Sequence, residues 1–88
     1  MVWTIEIDPR AARQLKSLDR AIQREIIDYL RNRVATQESP RLLGKPLKGR
    51  KFGLWRYRVR DYRIICKLIE DRLVVLVVTI GHRSKVYK

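Results

Sequence analysis

The chain has 88 residues, 45% of them apolar, and 21 Lys and Arg against nine Asp and Glu, for a formal charge of +12. That length supports one domain around one core, burying roughly 60% of the surface of the unfolded chain, and the apolar content excludes a disordered tail. The charge selects anionic partners: RNA, DNA, an anionic membrane surface or an acidic protein.

Residues 2–7 (Val-Trp-Thr-Ile-Glu-Ile) are β-branched or aromatic with a rough alternation and predict a first strand. Asp8 suits the N-cap of a following helix, and Pro9 suits its first turn, where a missing N–H costs nothing. Over residues 9–18, Ala12, Leu15 and Leu18 fall on one side of that helix. Asp19 is a second N-cap candidate, and Ile22, Ile26, Leu30 and Val34 then recur every four residues, with Ile27 widening the stripe. Residues 37–53 read as a long loop punctuated by Pro40, Gly44, Pro46, Gly49 and Gly53, and a loop of that length in a small domain is often functional. Three strand-like runs follow at 54–60, 62–69 and 73–80, the last two joined by a turn at Glu70-Asp71-Arg72. The run at 73–80 has no polar face and predicts a central strand buried on both sides. Gly81 to Lys88 reads as an extended tail leaving the sheet.

The order β-α-α-β-β-β predicts an α+β fold, two N-terminal helices on one face of a mainly antiparallel four-stranded sheet, in a single domain spanning 1–88. The other face stays open. A lone Cys66 excludes an internal disulfide, and with one histidine the chain cannot assemble a Cys/His zinc site. Scattered carboxylates do not make a cage for Mg²⁺ or Ca²⁺, so neither a metal nor another cofactor is expected. No run approaches the ~20 apolar residues of a membrane span. The alternating, acid-bearing N-terminus is unlike a secretory signal, and the expectation is a cytoplasmic protein.

The excess charge is local. Residues 1–40 hold seven Lys and Arg and six Asp and Glu, whereas residues 41–88 hold fourteen and three. Alternation in the run 54–60 places Arg56, Arg58 and Arg60 on one face and Trp55, Tyr57 and Val59 on the other; the aromatic pair reads as core. A two-residue turn at Arg60-Asp61 sets Val59 opposite Tyr62 and Arg58 opposite Arg63. Like charges directly opposed destabilise a sheet, and a phosphate between the guanidinium groups removes that penalty. A solvated, Arg-rich face is the plainer alternative. Lys45, Lys48, Arg50 and Lys51 in the loop, with Arg56 and Lys85, are the expected general contacts to RNA.

Three stretches carry a family resemblance. Pro46-Leu47-Lys48-Gly49 resembles the leucine–basic–glycine opening of the sheet in the RelE/ParE toxin superfamily. The run 54–65 resembles its aromatic–basic hairpin closing on Tyr-Arg, and Ile80-Gly81-His82-Arg83-Ser84-Lys85-Val86-Tyr87 resembles its ending, in the form found in the RelE branch rather than the ParE branch. The resemblance spans essentially the whole chain. It implies the toxin of a type II toxin–antitoxin system, an mRNA interferase that enters the ribosomal A site and cuts the codon there without metal. In that chemistry the ribose 2′-OH attacks the adjacent phosphate, leaving a 2′,3′-cyclic phosphate and a 5′-OH. It further implies a RelB-like acidic antitoxin that neutralises the toxin and represses the operon. An acidic, partly disordered peptide would cover the charge excess. A ParE-like inhibitor of DNA gyrase and a non-catalytic module binding RNA or DNA are the alternatives.

Carried over by position, the family's sheet cations fall on Arg56 and Arg58, its hairpin arginine on Arg63, its tail arginine on Arg83 and its terminal tyrosine on Tyr87. Arg58 and Arg63 would stabilise charge on the phosphorane, because donors aimed at developing charge are the strongest catalytic lever. Arg83 would serve the leaving 5′-oxygen. Tyr87 would stack on a base or orient the attacking hydroxyl, or else act as a packing anchor. Several family members carry lysines where this chain has Arg56 and Arg58. Arginine, with a pKa above about 12, does not take a proton at neutral pH, so the general base is unassigned. His82, the side chain that ordinarily titrates near neutrality, is one candidate; Lys85, Lys51 and Tyr87 are others, and an outward-pointing turn histidine is the plainer reading of His82.

Overall fold

A computed structural model describes residues 2–49 and 52–82. β1 (Thr4–Ile7) is followed by α1 (Pro9–Lys16) and α2 (Arg20–Tyr29), then by β2 (Lys45–Pro46), β3 (Leu54–Val59), β4 (Tyr62–Ile69) and β5 (Val74–His82). The strands form one sheet in the order β1-β5-β4-β3-β2, with β1 parallel to β5 and every other pairing antiparallel.

The architecture is the expected α+β one with a strand added. β2, inside the predicted loop, pairs Lys45 with Arg56 and Pro46 with Trp55, so the sheet has five strands rather than four. Two residues are too few for a period-2 pattern, and a proline is tolerated there because the strand lies at the sheet edge. The tail also begins later than expected. Gly81 and His82 still belong to β5, opposite Arg63 and Tyr62.

Asp8 caps α1 through its carboxylate, which accepts from the Ala11 N–H at 2.8 Å. Asp19 holds the corresponding place before α2, but its side chain makes no cap hydrogen bond. The apolar stripe of α2 continues through a π-turn at Leu30–Val34, closed by the Ala35 N–H donating to the Leu30 carbonyl. The wider turn keeps Ile26, Leu30 and Val34 all fully buried. On α1 the deepest residues are Ala11 and Leu15, with Ala12 half-buried; the helix ends at Lys16, two residues short of the expected end, and Leu18 beyond it is half-buried.

The helices pack on one face of the sheet. Their buried residues join Tyr57, Val59, Ile64, Cys66, Val75, Val77 and Ile80 in a single core. Trp55 is half-buried against it, with the Arg41 guanidinium 5.6 Å from the ring centroid. Tyr57 reaches through the core, and its hydroxyl donates to the Pro40 carbonyl at 2.7 Å, tying the segment after α2 to β3. β5 is an interior strand as expected, but the expected burial on both sides is not met. Its helix-side residues Val75 and Val77 are buried, whereas Leu76 and Val78 are only half-buried, because no helix covers the second face.

Candidate nucleic-acid interface

The open face is organised by the β3–β4 hairpin. Its turn consists of Arg60 and Asp61, with Val59 opposite Tyr62 and Arg58 opposite Arg63, the register expected from the two-residue turn. Arg60 takes φ 55°, the positive value that tight hairpin turns require at their first central residue. Its guanidinium grips Glu25 of α2 through two hydrogen bonds, Nε to Oε2 and Nη2 to Oε1, the latter at 3.1 Å. The hairpin tip is therefore linked to the helical layer.

Pairing across three strands assembles a basic surface. Arg56 lies opposite Ile65 and opposite Lys45 on its other side, so Lys45, Arg56, Arg58 and Arg63 project from the face that the helices leave uncovered. Lys67, opposite Leu54, extends it. Lys67 was not singled out in the sequence, although the alternation Arg63, Ile65, Lys67 carries the signal. Arg58 and Lys45 are exposed and Arg56 and Arg63 half-buried. The Arg58 Nε donates to the Arg60 carbonyl at 3.2 Å, which holds its stem along the strand.

Acidic side chains lie elsewhere. Glu25 pairs with Arg60, Glu70 with Arg41, and Glu6 with Arg72 at 3.7 Å. Among the described residues, Lys45, Arg56, Arg58 and Lys67 form no ion pair with a carboxylate. Such a face attracts an anion, and guanidinium groups on adjacent strands suit the oxygens of a backbone phosphate.

His82 does not join these arginines. It pairs with Tyr62, their rings meet edge to face at 5.7 Å, and both line a cavity of about 500 Å³ beside Gln14, Ser17 and Leu18 of the helical layer. Alternation along β5 puts Gly81 on the arginine face and His82 on the other. His82, one of the candidate bases, therefore lies on the opposite face of the sheet from Arg58 and Arg63. Two further ionisable groups near the hairpin are withdrawn from chemistry. Burial pushes the Cys66 thiol and the Tyr57 hydroxyl far above their ordinary values, and both lie on the helix side.

Lys48 is exposed in the loop that follows β2. Arg50, Lys51, Arg83, Lys85 and Tyr87, all named from the sequence, lie outside the described residues.

Comparisons with known proteins bear on the family and the fold. Residues 5–87 match the family model described as the ParE toxin of the type II toxin–antitoxin system parDE. The chain is 28% identical over 91 residues to the mRNA interferase toxin RelE of Escherichia coli K12, covering 99% of this chain and 92% of that one. Among solved structures it resembles the toxin–antitoxin complex RelBE2 of Mycobacterium tuberculosis, with a TM-score of 0.86 at 21% identity over 97% of this chain and 95% of that one. The archaeal RelE–RelB complex of Pyrococcus horikoshii OT3 gives a TM-score of 0.72 at 22% identity, covering 97% and 99% of the two chains. At these identities the structural likeness bears on the fold, while the family follows from a match over almost the entire length: the chain belongs to the ParE toxin family of type II toxin–antitoxin systems, within the RelE/ParE superfamily.

Proposed function

We propose that this toxin is a ribosome-dependent endoribonuclease that cuts messenger RNA in the A site without metal, and that a RelB-like acidic antitoxin neutralises it in the cytoplasm. The single observation that carries the reading is Arg58 set directly opposite Arg63 on the uncovered face, with Arg56 and Lys45 alongside. The likeness to a protein named as an mRNA interferase supports it, as does the fold shared with toxins solved in complex with RelB. No helix among the described residues is long and apolar enough to cross a membrane.

In this reading the scissile phosphate sits between Arg58 and Arg63. The 2′-oxygen forms a bond to phosphorus, the bond to the 5′-oxygen breaks, and the two guanidinium groups stabilise the added charge of the phosphorane. RNA supplies its own nucleophile, which DNA lacks. Arg56 and Lys45 hold neighbouring phosphates, joined by Lys48, Arg50, Lys51 and Lys85. Arg83, one peptide bond beyond His82, serves the leaving oxygen, and Tyr87 stacks on the scissile base or orients the attacking hydroxyl. The proton acceptor is sought among Lys51, Lys85 and Tyr87. Cys66 and Tyr57 are buried on the wrong face, and His82 packs beside Tyr62.

The match to a ParE family model favours one second reading, inhibition of DNA gyrase. Primer extension on messenger RNA recovered shortly after induction separates the two. Cuts within A-site codons, lost in Arg58→Ala and Arg63→Ala proteins that still fold, are the expected result. Intact transcripts accompanied by double-strand DNA breaks would overturn the nuclease and favour gyrase.

A further inference from the structure

The chain has a single phenylalanine, and it is not in the core. Phe52 is 84% exposed, more than any other large apolar side chain among the described residues. It stands at the tip of the β2–β3 hairpin, in the sequence Lys48-Gly49-Arg50-Lys51-Phe52-Gly53. The Leu47 N–H donates to the Leu54 carbonyl at 3.0 Å and closes this loop, and the Phe52 N–H donates to the Gly49 carbonyl at 3.0 Å to form its turn. Gly49 and Gly53 take φ 67° and 93°, values that L side chains rarely adopt, and a Cβ at either position would meet nothing within 4 Å. Both glycines therefore have open space beside them, and Phe52, next to Gly53, faces solvent.

Single exposed apolar residues are ordinary. The setting of this one is not. An anchor for a protein partner would sit within an apolar patch, whereas the loop around Phe52 has three cations and no other large apolar side chain. Beyond Gly53 the chain continues directly into the row Leu54, Arg56, Arg58 of the open face, so Phe52 lies at most about 20 Å along the strand direction from Arg58. Cations that follow a phosphate chain, ending in an exposed aromatic ring, are the arrangement by which proteins hold single-stranded nucleic acid. The cations take the backbone and the ring takes a base, whose π-face is available only when it is unpaired.

We infer that Phe52 is a stacking platform for an unpaired RNA base a few nucleotides from the phosphate held by Arg58 and Arg63. This rests on the reading of the open face as an RNA site and extends that site beyond the arginines to the tip of the β2–β3 hairpin. A single-stranded preference follows, because a duplex keeps its bases stacked on one another.

The test is binding of a short single-stranded RNA oligonucleotide carrying 2-aminopurine, beside the same strand annealed to its complement. Phe52→Ala weakens binding of the single strand roughly ten-fold and leaves the duplex unaffected. Phe52→Trp binds at least as tightly as the parent, and Phe52→Leu loses most of the gain despite its apolar character. The salt dependence stays the same in all three, since no charge is removed. Because Phe52 is exposed, the melting temperatures stay together. Unchanged single-strand binding by Phe52→Ala, while Arg58→Ala and Arg63→Ala weaken it, overturns the stacking role and leaves the open-face reading standing. Equal losses on single strand and duplex also overturn it, as does a Phe52 dependence found only with anionic lipid vesicles or only with the antitoxin. Binding that ignores Arg58 and Arg63 as well as Phe52 is a different pattern and removes the open-face reading itself.

Discussion

The two faces of the β3–β4 hairpin are written in alternate residues of the same stretch of chain, yet they obey opposite rules. Toward the helices, Tyr57, Val59, Ile64 and Cys66 are buried, and the one hydroxyl among them is hydrogen-bonded to Pro40. Toward the open side, Arg58 opposes Arg63 while the acids Glu25, Glu70 and Glu6 are engaged elsewhere. The covered face follows what stability asks of a sheet. The open face departs from it by opposing like charges across a hairpin, and such departures gather where a ligand supplies the missing counter-charge.

The contrast is broken or sharpened most strongly by paired substitutions on adjacent residues of β4. Ile64→Ala is expected to lower unfolding free energy by about 2–5 kcal/mol through lost burial and a residual cavity. Arg63→Ala is expected to leave stability nearly intact while reducing cleavage on programmed ribosomes by roughly 100- to 1000-fold. Denaturant titrations beside single-turnover cleavage measure both, and an Arg63→Ala protein as unstable as Ile64→Ala would make Arg63 a structural residue. Next in size is Tyr57→Phe, which strands the buried Pro40 carbonyl and should cost about 1–3 kcal/mol by the same titration.

The covered face also predicts a base-labile fold. Burial raises the Cys66 thiol above its ordinary value of about 9 and raises the Tyr57 hydroxyl above about 10. Between each ordinary value and the raised one, the native state keeps a proton that the unfolded state releases. Stability is therefore whole below pH 9 and falls as pH climbs past it, by up to about 1.4 kcal/mol per pH unit for each group. Melting curves between pH 7 and 11 read the slope directly. Cys66→Ala should flatten its first part, and an unchanged slope there would refute the assignment to the thiol. The smallest effect has the opposite sign. Arg58→Thr should raise stability by a few tenths of a kcal/mol by relieving the opposed charges, and a fall would mean that the Arg58 hydrogen bond to Arg60 outweighs the repulsion.

Legibility followed the length of the pattern. The hairpin register was readable because Arg60-Asp61 is the shortest possible link between two alternating runs, and a one-residue slip would have turned Tyr57 and Ile64 out of the core. The helical stripe was readable over Ile22, Ile26, Leu30 and Val34, although the π-turn that carries its last part leaves no mark in a period of four. β2 was not readable, being two residues long and containing Pro46. Lys67 follows the same alternation as Arg63 and Ile65 and shares their face. The facing of His82 was not readable either: its partner in the sheet is Tyr62, and the pleat turns it away from the face that carries Arg63.

What the amino-acid order determined alone was the set of elements apart from β2, which residues share a face within each, and that positive charge gathers after residue 40. Those are consequences of backbone periodicity and composition, which act locally. Only the tertiary structure decided that β1 closes the sheet in parallel beside β5, and that β2 brings Lys45 beside Arg56 on the face of Arg58 and Arg63. Such placements depend on contacts between residues far apart in the chain, and local preference does not encode which surfaces will be brought together.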